Sequence, residues 1–116
     1  MVGALVHNGM HVVAFAVLAA AVRLALHPSG GRQLPMASVV AVAVAVVYGI
    51  VDEVHQSFVP GRTSSVADVC SDASGAVLAV AWLRSVLEKV ATPTRVLLLL
   101  VAVSCASVCL ATFGPW

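Results

Sequence analysis

The residues of this chain that could carry out chemistry gather in one stretch, Tyr48 to Gly75, whose sequence is YGIVDEVHQSFVPGRTSSVADVCSDASG. It holds four of the five acidic residues, one of the four histidines and an arginine, namely Asp52, Glu53, Asp68, Asp72, His55 and Arg62. A histidine beside a carboxylate can act as a general acid and base, because its pKa lies near neutral pH. An arginine can hold a phosphate or a carboxylate in its planar fork. The stretch therefore indicates acid-base chemistry, anion binding or both.

The same residue types leave two other interpretations open. Imidazole and carboxylate groups suit zinc or manganese, but the chain has no compact ligand motif such as HExxH, so we predict no metal site. A polar lock between helices, without any ligand, would use these residues as well. Nothing in the sequence specifies a cofactor, and whether the protein is an enzyme stays open.

The composition indicates which elements must position these residues. The chain has 116 residues, of which 61% are hydrophobic and 9% charged, whereas soluble domains average about 25% charged. A domain of this size cannot bury so much apolar surface in water. The net charge of +1, without clustered Lys and Arg, argues against a nucleic-acid partner. We therefore predict a single domain whose main partner is the membrane lipid bilayer.

Four apolar segments approach the length of about 20 residues that crosses a hydrocarbon core. We predict an all-α integral membrane protein, a bundle of four transmembrane helices at about 4–26, 36–56, 65–83 and 96–113. No Lys or Arg precedes the first segment, which favours a retained span over a cleaved signal peptide. Arg23, near the end of this span, is expected to reach toward the lipid headgroups.

Small residues four positions apart predict how the helices pack. One such face on the second helix carries Ala41, Ala45 and Gly49, and we expect it to meet a face on the third helix that carries Ser71, Gly75 and Ala79.

Local signals predict the connection between the second and third helices. Pro60 and Gly61 indicate a turn, because proline fixes the first central torsion and glycine accepts a positive φ at the second. Ser64 or Ser65 is the expected N-cap of the third helix, and Ser65 with Asp68 three residues later resembles a capping box.

The distribution of Lys and Arg predicts the orientation. The two loops that must share one side carry or adjoin five basic residues, and the opposite side has a single one, Arg62; the five are Arg23, Arg32, Arg84, Lys89 and Arg95. By the positive-inside rule the first side is cytoplasmic. Both termini and the Pro60 loop are then expected outside.

This topology brings distant polar residues to one end of the bundle. The expected functional cluster comprises His11, Asp52, Glu53, His55, Gln56, Arg62, Asp68 and Asp72. Plainer roles exist for some members: Glu53 can sit solvated among headgroups, and Asp68 can be an acid that the helix dipole favours near an N-terminus. Asp72 lies a turn deeper and is expected to find a partner in His11, His55 or Arg62. His7 is expected to be an ordinary residue near the terminus.

The segment DEVHQSFVPGRTSSVADVCSDASG resembles the signature of VanZ-like membrane proteins, small bacterial proteins named for low-level resistance to the glycopeptide teicoplanin. The residues that match the signature in order are Asp52, Glu53, Gln56, Phe58, Pro60, Gly61, Arg62, Ser65, Asp68 and Gly75, and His11 matches a histidine on the first helix. Two positions depart from it. The family's usual Asp-Lys pair is replaced by His7 and Asn8, and its usual Asn on the third helix is Asp72.

The resemblance implies a multi-pass protein of the bacterial cytoplasmic (inner) membrane, connected with the cell envelope and with glycopeptide susceptibility. It implies no reaction. Our leading hypothesis is that the outward-facing cluster binds an anionic envelope or lipid-linked ligand, with Arg62 holding the anion. One alternative is a membrane enzyme that hydrolyses or modifies a lipid-linked precursor. Another is a proton-coupled transport component, which would require an oligomer.

Overall fold

The computed structural model describes four stretches of the chain, which are residues 2–27, 36–62, 64–89 and 93–113. They form four α-helices, which are α1 (Val2–Ala25), α2 (Ala37–Ser57), α3 (Val66–Leu87) and α4 (Thr94–Phe113). Each helix is long and apolar enough to cross a membrane, and the described residues contain no strand. The predicted membrane bundle of four helices is thus confirmed. The expected breaks at residues 28–35 and 114–116 lie outside the described residues.

The helices run alternately up and down. Asn8 near the start of α1 donates a hydrogen bond to Thr112 near the end of α4, and Arg23 near the end of α1 donates to Ser38 at the start of α2. The helices α1 and α3 form the central pair, and the described parts of α2 and α4 flank this pair without touching each other. We call the end of the bundle where α1 and α3 begin the Arg62 end, and the opposite one the Arg84 end.

Small side chains dominate the core and let the helices approach closely. The buried cluster consists of Phe15, Ala19, Ala41, Ala45, Ala76 and Val80. Large apolar side chains of all four helices point outward instead, as they do in a protein whose surroundings are lipid.

The small-residue face of α3 packs differently from our expectation. A Cβ atom added to Gly75 would lie 2.4 Å from the backbone oxygen of Val12, so glycine is required here by the close approach of α1. Ala79 lines a cavity together with residues of α1 and α4. The prediction that this face meets α2 is therefore wrong for these two residues. On α2, the predicted face of Ala41, Ala45 and Gly49 is buried.

A cluster of charged side chains, Arg23, Arg84 and Glu88, joins the helices at the Arg84 end. The Nη2 atom of Arg23 donates to Oε1 of Glu88, and the Nε atom of Arg84 donates to Oε2 at 3.1 Å. The Arg23 side chain is only 2% exposed, and its Nε atom donates to Oγ of Ser38 at 3.2 Å. The prediction that Arg23 reaches toward the headgroups is therefore wrong, because a buried carboxylate holds it inside the bundle.

This cluster also explains where α3 ends. The helix continues to Leu87, one turn beyond the predicted end at residue 83, and Arg84 and Glu88 are spaced to pair across that last turn. Burial raises the pKa of the Glu88 carboxyl, but the hydrogen bonds from Arg84 and Arg23 outweigh burial, and the pKa lies below its ordinary value. The carboxylate form is thus favoured by its two arginine partners.

Candidate functional site

The turn between α2 and α3 presents Arg62 at the mouth of the bundle. Pro60 and Gly61 occupy its central positions, Gly61 has a φ of +83°, and the N–H of Arg62 donates to the carbonyl of Val59 at 3.1 Å. These features define a type II turn, so the predicted turn is confirmed. Its geometry brings Arg62 back toward the last turn of α2.

The guanidinium group of Arg62 is held by two neutral side chains. Its Nη2 atom donates to Oε1 of Gln56 at 3.0 Å and lies 3.1 Å from Nε2 of His7. Because arginine has no acceptor, Nε2 of His7 must accept here and carries no proton. Gln56 in turn donates to Oδ2 of Asp52 at 2.6 Å. The Arg62 side chain is exposed, so this chain of hydrogen bonds positions a cation without pairing it directly to a carboxylate.

Glu53 fastens the start of α3 to the end of α2. It is buried, and its Oε2 atom accepts the backbone N–H of Ser65 at 2.7 Å. The Oγ atom of Ser65 accepts the N–H of Ala67, so of the two predicted N-caps, Ser64 and Ser65, the structure has Ser65. In a capping box the N–H of Ser65 would bond to Asp68, but Glu53 of the neighbouring helix accepts it. The second oxygen of Glu53, Oε1, is buried and has no hydrogen-bond donor among the described residues.

The buried Asp72 of α3 pairs with the partly buried His11 of α1. The Oδ1 atom of Asp72 lies 3.4 Å from Nδ1 of His11, within ion-pair range but without hydrogen-bond geometry. Asp72 is fully buried and neither of its oxygens has a hydrogen-bond donor within the described part of the chain. Gly49 makes room for it, because a Cβ atom there would lie 3.0 Å from Oδ2. Of the three partners expected for Asp72, the structure selects His11.

The His11 ring links this pair to the surface. Its centroid lies 4.8 Å from the ring of His7, in an edge-on arrangement, and its other side stacks on Phe15. The buried carboxyl of Asp72 is therefore connected, through the rings of His11 and His7, to Arg62 at the mouth of the bundle.

The remaining predicted residues are not equivalent. Asp68 is partly buried and interacts electrostatically with His11, His7 and Arg62, so it belongs with the cluster. His55 is exposed, and its side chain has no hydrogen bond or ion pair within the described residues. His7, which we expected to be ordinary, contacts both Arg62 and His11. Its spacing of four from His11 was the sequence signal for this role.

A hydrogen bond between two neutral residues joins α1 to α4 at the Arg62 end. Asn8, which replaces half of the family's ion pair, is buried and donates to Thr112 of α4 at 3.1 Å.

A small cavity of about 230 Å³ lies between α2 and α3, lined in part by Glu53, Ser57 and Ser64. Within the described ranges, no group of three or more His, Cys, Asp or Glu side chains is arranged to hold a metal ion.

The comparisons with known proteins agree with the motif. No curated protein and no solved structure matches the chain. A family model described as VanZ/LLP1 matches residues 2–88, which include α1, α2, α3 and all the residues of the polar cluster. The match stops before α4, so the helices that build the site are the ones the family shares. The chain therefore belongs to the VanZ/LLP1 family of membrane proteins.

Proposed function

We propose that this membrane protein binds an anionic ligand of the cell envelope, either free or lipid-linked, at the Arg62 end. The observation that carries the proposal is the exposed guanidinium of Arg62, which two neutral acceptors hold in place. The charge of an arginine that pairs directly with a carboxylate is compensated. Arg62 makes no such direct pair within the described residues, so its charge is available to an anionic ligand. Planar, bidentate recognition of a phosphate or carboxylate is what such a group does best.

The cavity beside α3 supports a ligand with hydroxyl groups as well as an anion. Its lining includes the acidic residue Glu53 and the hydroxyl-bearing residues Ser57 and Ser64. A phosphate linked to a sugar and a lipid tail would combine these features with a position at the membrane surface.

Binding of a polyprenyl phosphate, with the corresponding polyprenol as the uncharged probe, tests the proposal on the purified full-length protein in detergent. We expect the phosphate to bind more tightly, and Arg62→Gln to weaken it about tenfold, as loss of a charge-assisted hydrogen bond predicts. Arg95→Gln, which removes an exposed cation at the other end, is the matched control. Equal affinities for phosphate and alcohol would refute anion recognition.

The connection with glycopeptide susceptibility is tested in cells. A teicoplanin-sensitive bacterium that expresses the protein is expected to tolerate more of the drug, and the Arg62→Gln variant, at equal membrane abundance, is expected to lose the gain. Unchanged tolerance with both forms would separate this copy from resistance while leaving ligand binding to its own assay.

An acid-base enzyme is a second candidate, favoured by the contact between His7 and His11, which pairs with the buried Asp72. Incubation of the protein with a labelled lipid-linked sugar phosphate, with and without divalent metal, is expected to release a product if this candidate is right. Recovery of the intact substrate under both conditions would leave binding as the function. Transport coupled to protons would in addition need an oligomer, which crosslinking in native membranes detects.

For orientation we propose that both termini and the Pro60 loop face outward. Ser57 is exposed at the Arg62 end, and Lys89 is exposed at the other. In a variant whose native cysteines Cys70, Cys105 and Cys109 are replaced by alanine, Ser57→Cys should react with an impermeant thiol reagent in intact cells. Lys89→Cys should react only after lysis. The opposite pattern would invert the orientation and place the site in the cytoplasm.

A further inference from the structure

A groove between α2 and α3 opens at the Arg84 end, away from the site described above. Its volume is about 620 Å³, and all of its ten lining residues come from these two helices. Eight of the ten are Val or Ala, and the other two are Ser38 and Arg84. The groove is thus an apolar channel with a hydroxyl and a guanidinium on its wall.

Arg84 has donors to spare at this groove. Its side chain is 48% exposed, and of its five N–H groups only Nε–H has a partner within the described residues, namely Oε2 of Glu88. The other oxygen of Glu88 accepts from the buried Arg23. Both oxygens of Glu88 therefore already accept hydrogen bonds. The Nη1 and Nη2 groups of Arg84 remain available to a further acceptor.

Ser38 adds a second donor. Its Oγ atom accepts from Nε of Arg23 at 3.2 Å, which leaves the hydroxyl hydrogen available for donation to a ligand. The groove thus presents donors on both of its helices and no free carboxylate, which selects an anion over a cation.

A second copy of this chain cannot supply that anion in the same orientation. The chain has five acidic residues, and four of them, Asp52, Glu53, Asp68 and Asp72, lie at the Arg62 end. The fifth is Glu88, whose oxygens are both occupied. Copies inserted in a membrane with the same topology would bring the Arg84 ends together, where neither has a free carboxylate.

We propose that this groove is a binding site for an anionic phospholipid. One acyl chain lies along the valines and alanines, and the phosphate accepts hydrogen bonds from Arg84 and Ser38. Phosphate oxygens match the fork of an arginine, and an acyl chain matches an apolar channel that begins at the polar end of the bundle and runs toward the middle of α2 and α3. The site is separate from Arg62 and does not depend on the function proposed for it.

Native mass spectrometry of the full-length protein with phosphatidylglycerol or with phosphatidylcholine of identical acyl chains tests the headgroup. We expect tighter binding of phosphatidylglycerol, reduced about fivefold by Arg84→Gln, as the charge of one basic residue predicts. The variant keeps the Arg23 partner of Glu88, so we expect the fold to be retained. Arg95→Gln, at an exposed position of the same end outside the groove, should leave the affinity unchanged.

The acyl chain is tested by filling the groove. Ala43 is exposed and lines it, so Ala43→Phe should weaken binding of both lipids. Ala14 is also exposed, on α1, but does not line the groove, and Ala14→Phe should have no effect. These paired variants add the same bulk to two lipid-facing positions.

Four outcomes would overturn the proposal. Equal binding of the two lipids would remove headgroup recognition, and equal effects of Arg84→Gln and Arg95→Gln would indicate diffuse surface charge. Loss of phosphatidylglycerol binding in Arg62→Gln alone would place the lipid site at the Arg62 end. A dimer that Ala43→Phe dissociates without any change in lipid binding would assign the groove to a second copy.

Discussion

At the Arg84 end of the bundle, the buried Arg23 donates a hydrogen bond to Glu88. At the Arg62 end, some buried polar atoms have no hydrogen-bond partner within the described residues. Both oxygens of Glu88 accept hydrogen bonds, from Arg23 and from Arg84. At the other end, neither oxygen of Asp72 and only one oxygen of Glu53 has a donor within the described residues. Within the described residues, the exposed guanidinium of Arg62 makes its hydrogen bonds with two neutral side chains, His7 and Gln56.

This difference separates structure from function. Both oxygens of Glu88 are occupied, so this carboxylate has no acceptor left for a ligand, and removing one partner of a buried ion pair is costly. Buried polar groups without partners are rare in folded proteins and mark sites that bind or react. The first arrangement joins the helices, and the second supports the proposed binding site.

Replacement of Glu88 tests the structural end and has the largest expected effect. Glu88→Gln removes the counter-charge of Arg23, which is almost completely buried, and should lower the free energy of unfolding by about 3 kcal/mol. Denaturant titration in detergent, followed by tryptophan fluorescence, measures the change. Lys89→Gln, next to it and exposed, should change the stability little. A loss below about 1 kcal/mol for Glu88→Gln would mean that water or lipid solvates Arg23.

Acid pH should reproduce the same loss by titration. The pKa of Glu88 is lowered in the folded protein, so its ion pairs contribute full stability above the ordinary glutamate pKa of about 4.3. That contribution disappears as the pH falls through the lower, folded-state pKa. The stability difference between the wild type and Glu88→Gln should therefore be constant from neutral pH down to about pH 4.3 and shrink below it. A difference independent of pH would contradict the ion pair.

The matching change at the Arg62 end should cost much less. Asp72→Asn also converts a buried acid to an amide, but the oxygens that it alters have no hydrogen-bond donors to lose among the residues that the structure describes. We expect a change in unfolding free energy within about 1 kcal/mol, measured in the same assay. A loss as large as that of Glu88→Gln would show that the two ends are built alike.

The smallest effect is expected at His55. It is exposed and without a side-chain partner among the described residues, so His55→Ala should change stability by less than about 0.5 kcal/mol. It should also leave the affinity for a polyprenyl phosphate unchanged. His7→Ala removes an acceptor that positions Arg62 and should lower that affinity. If the two histidine variants lowered the affinity equally, the contact between His7 and Arg62 would not be what supports ligand binding.

Helical phase explains why Glu53 faces the core of the bundle and His55 does not. The buried positions of α2 include Ala41, Ala45, Gly49 and Glu53, each four residues after the last. At about 100° per residue, His55 lies about 200° around the helix from Glu53 and faces away from the core. This spacing of four was visible in the sequence. Extending the small-residue face by one turn would have placed Glu53 on the buried face and His55 off it.

The sequence by itself determined the features that depend on composition and on neighbours along the chain. Four apolar runs require a bilayer, Pro60 and Gly61 require a turn, Ser65 caps α3, and an alternating topology places the polar residues at one end. Each follows from a local rule that needs no knowledge of packing.

Only the tertiary structure decided which polar groups are partners. Arg23 and Glu88 are 65 residues apart, and nothing along the chain distinguishes their pairing from separate surface positions. Three other contacts likewise depend on how the helices are rotated about their axes. They are the hydrogen bond from the Ser65 N–H to Glu53, the packing of Gly75 on Val12, and the pairing of Asp72 with His11. In an apolar bundle hydropathy is nearly uniform around each helix, so that rotation is set by contacts between helices and not by the sequence pattern of any one of them.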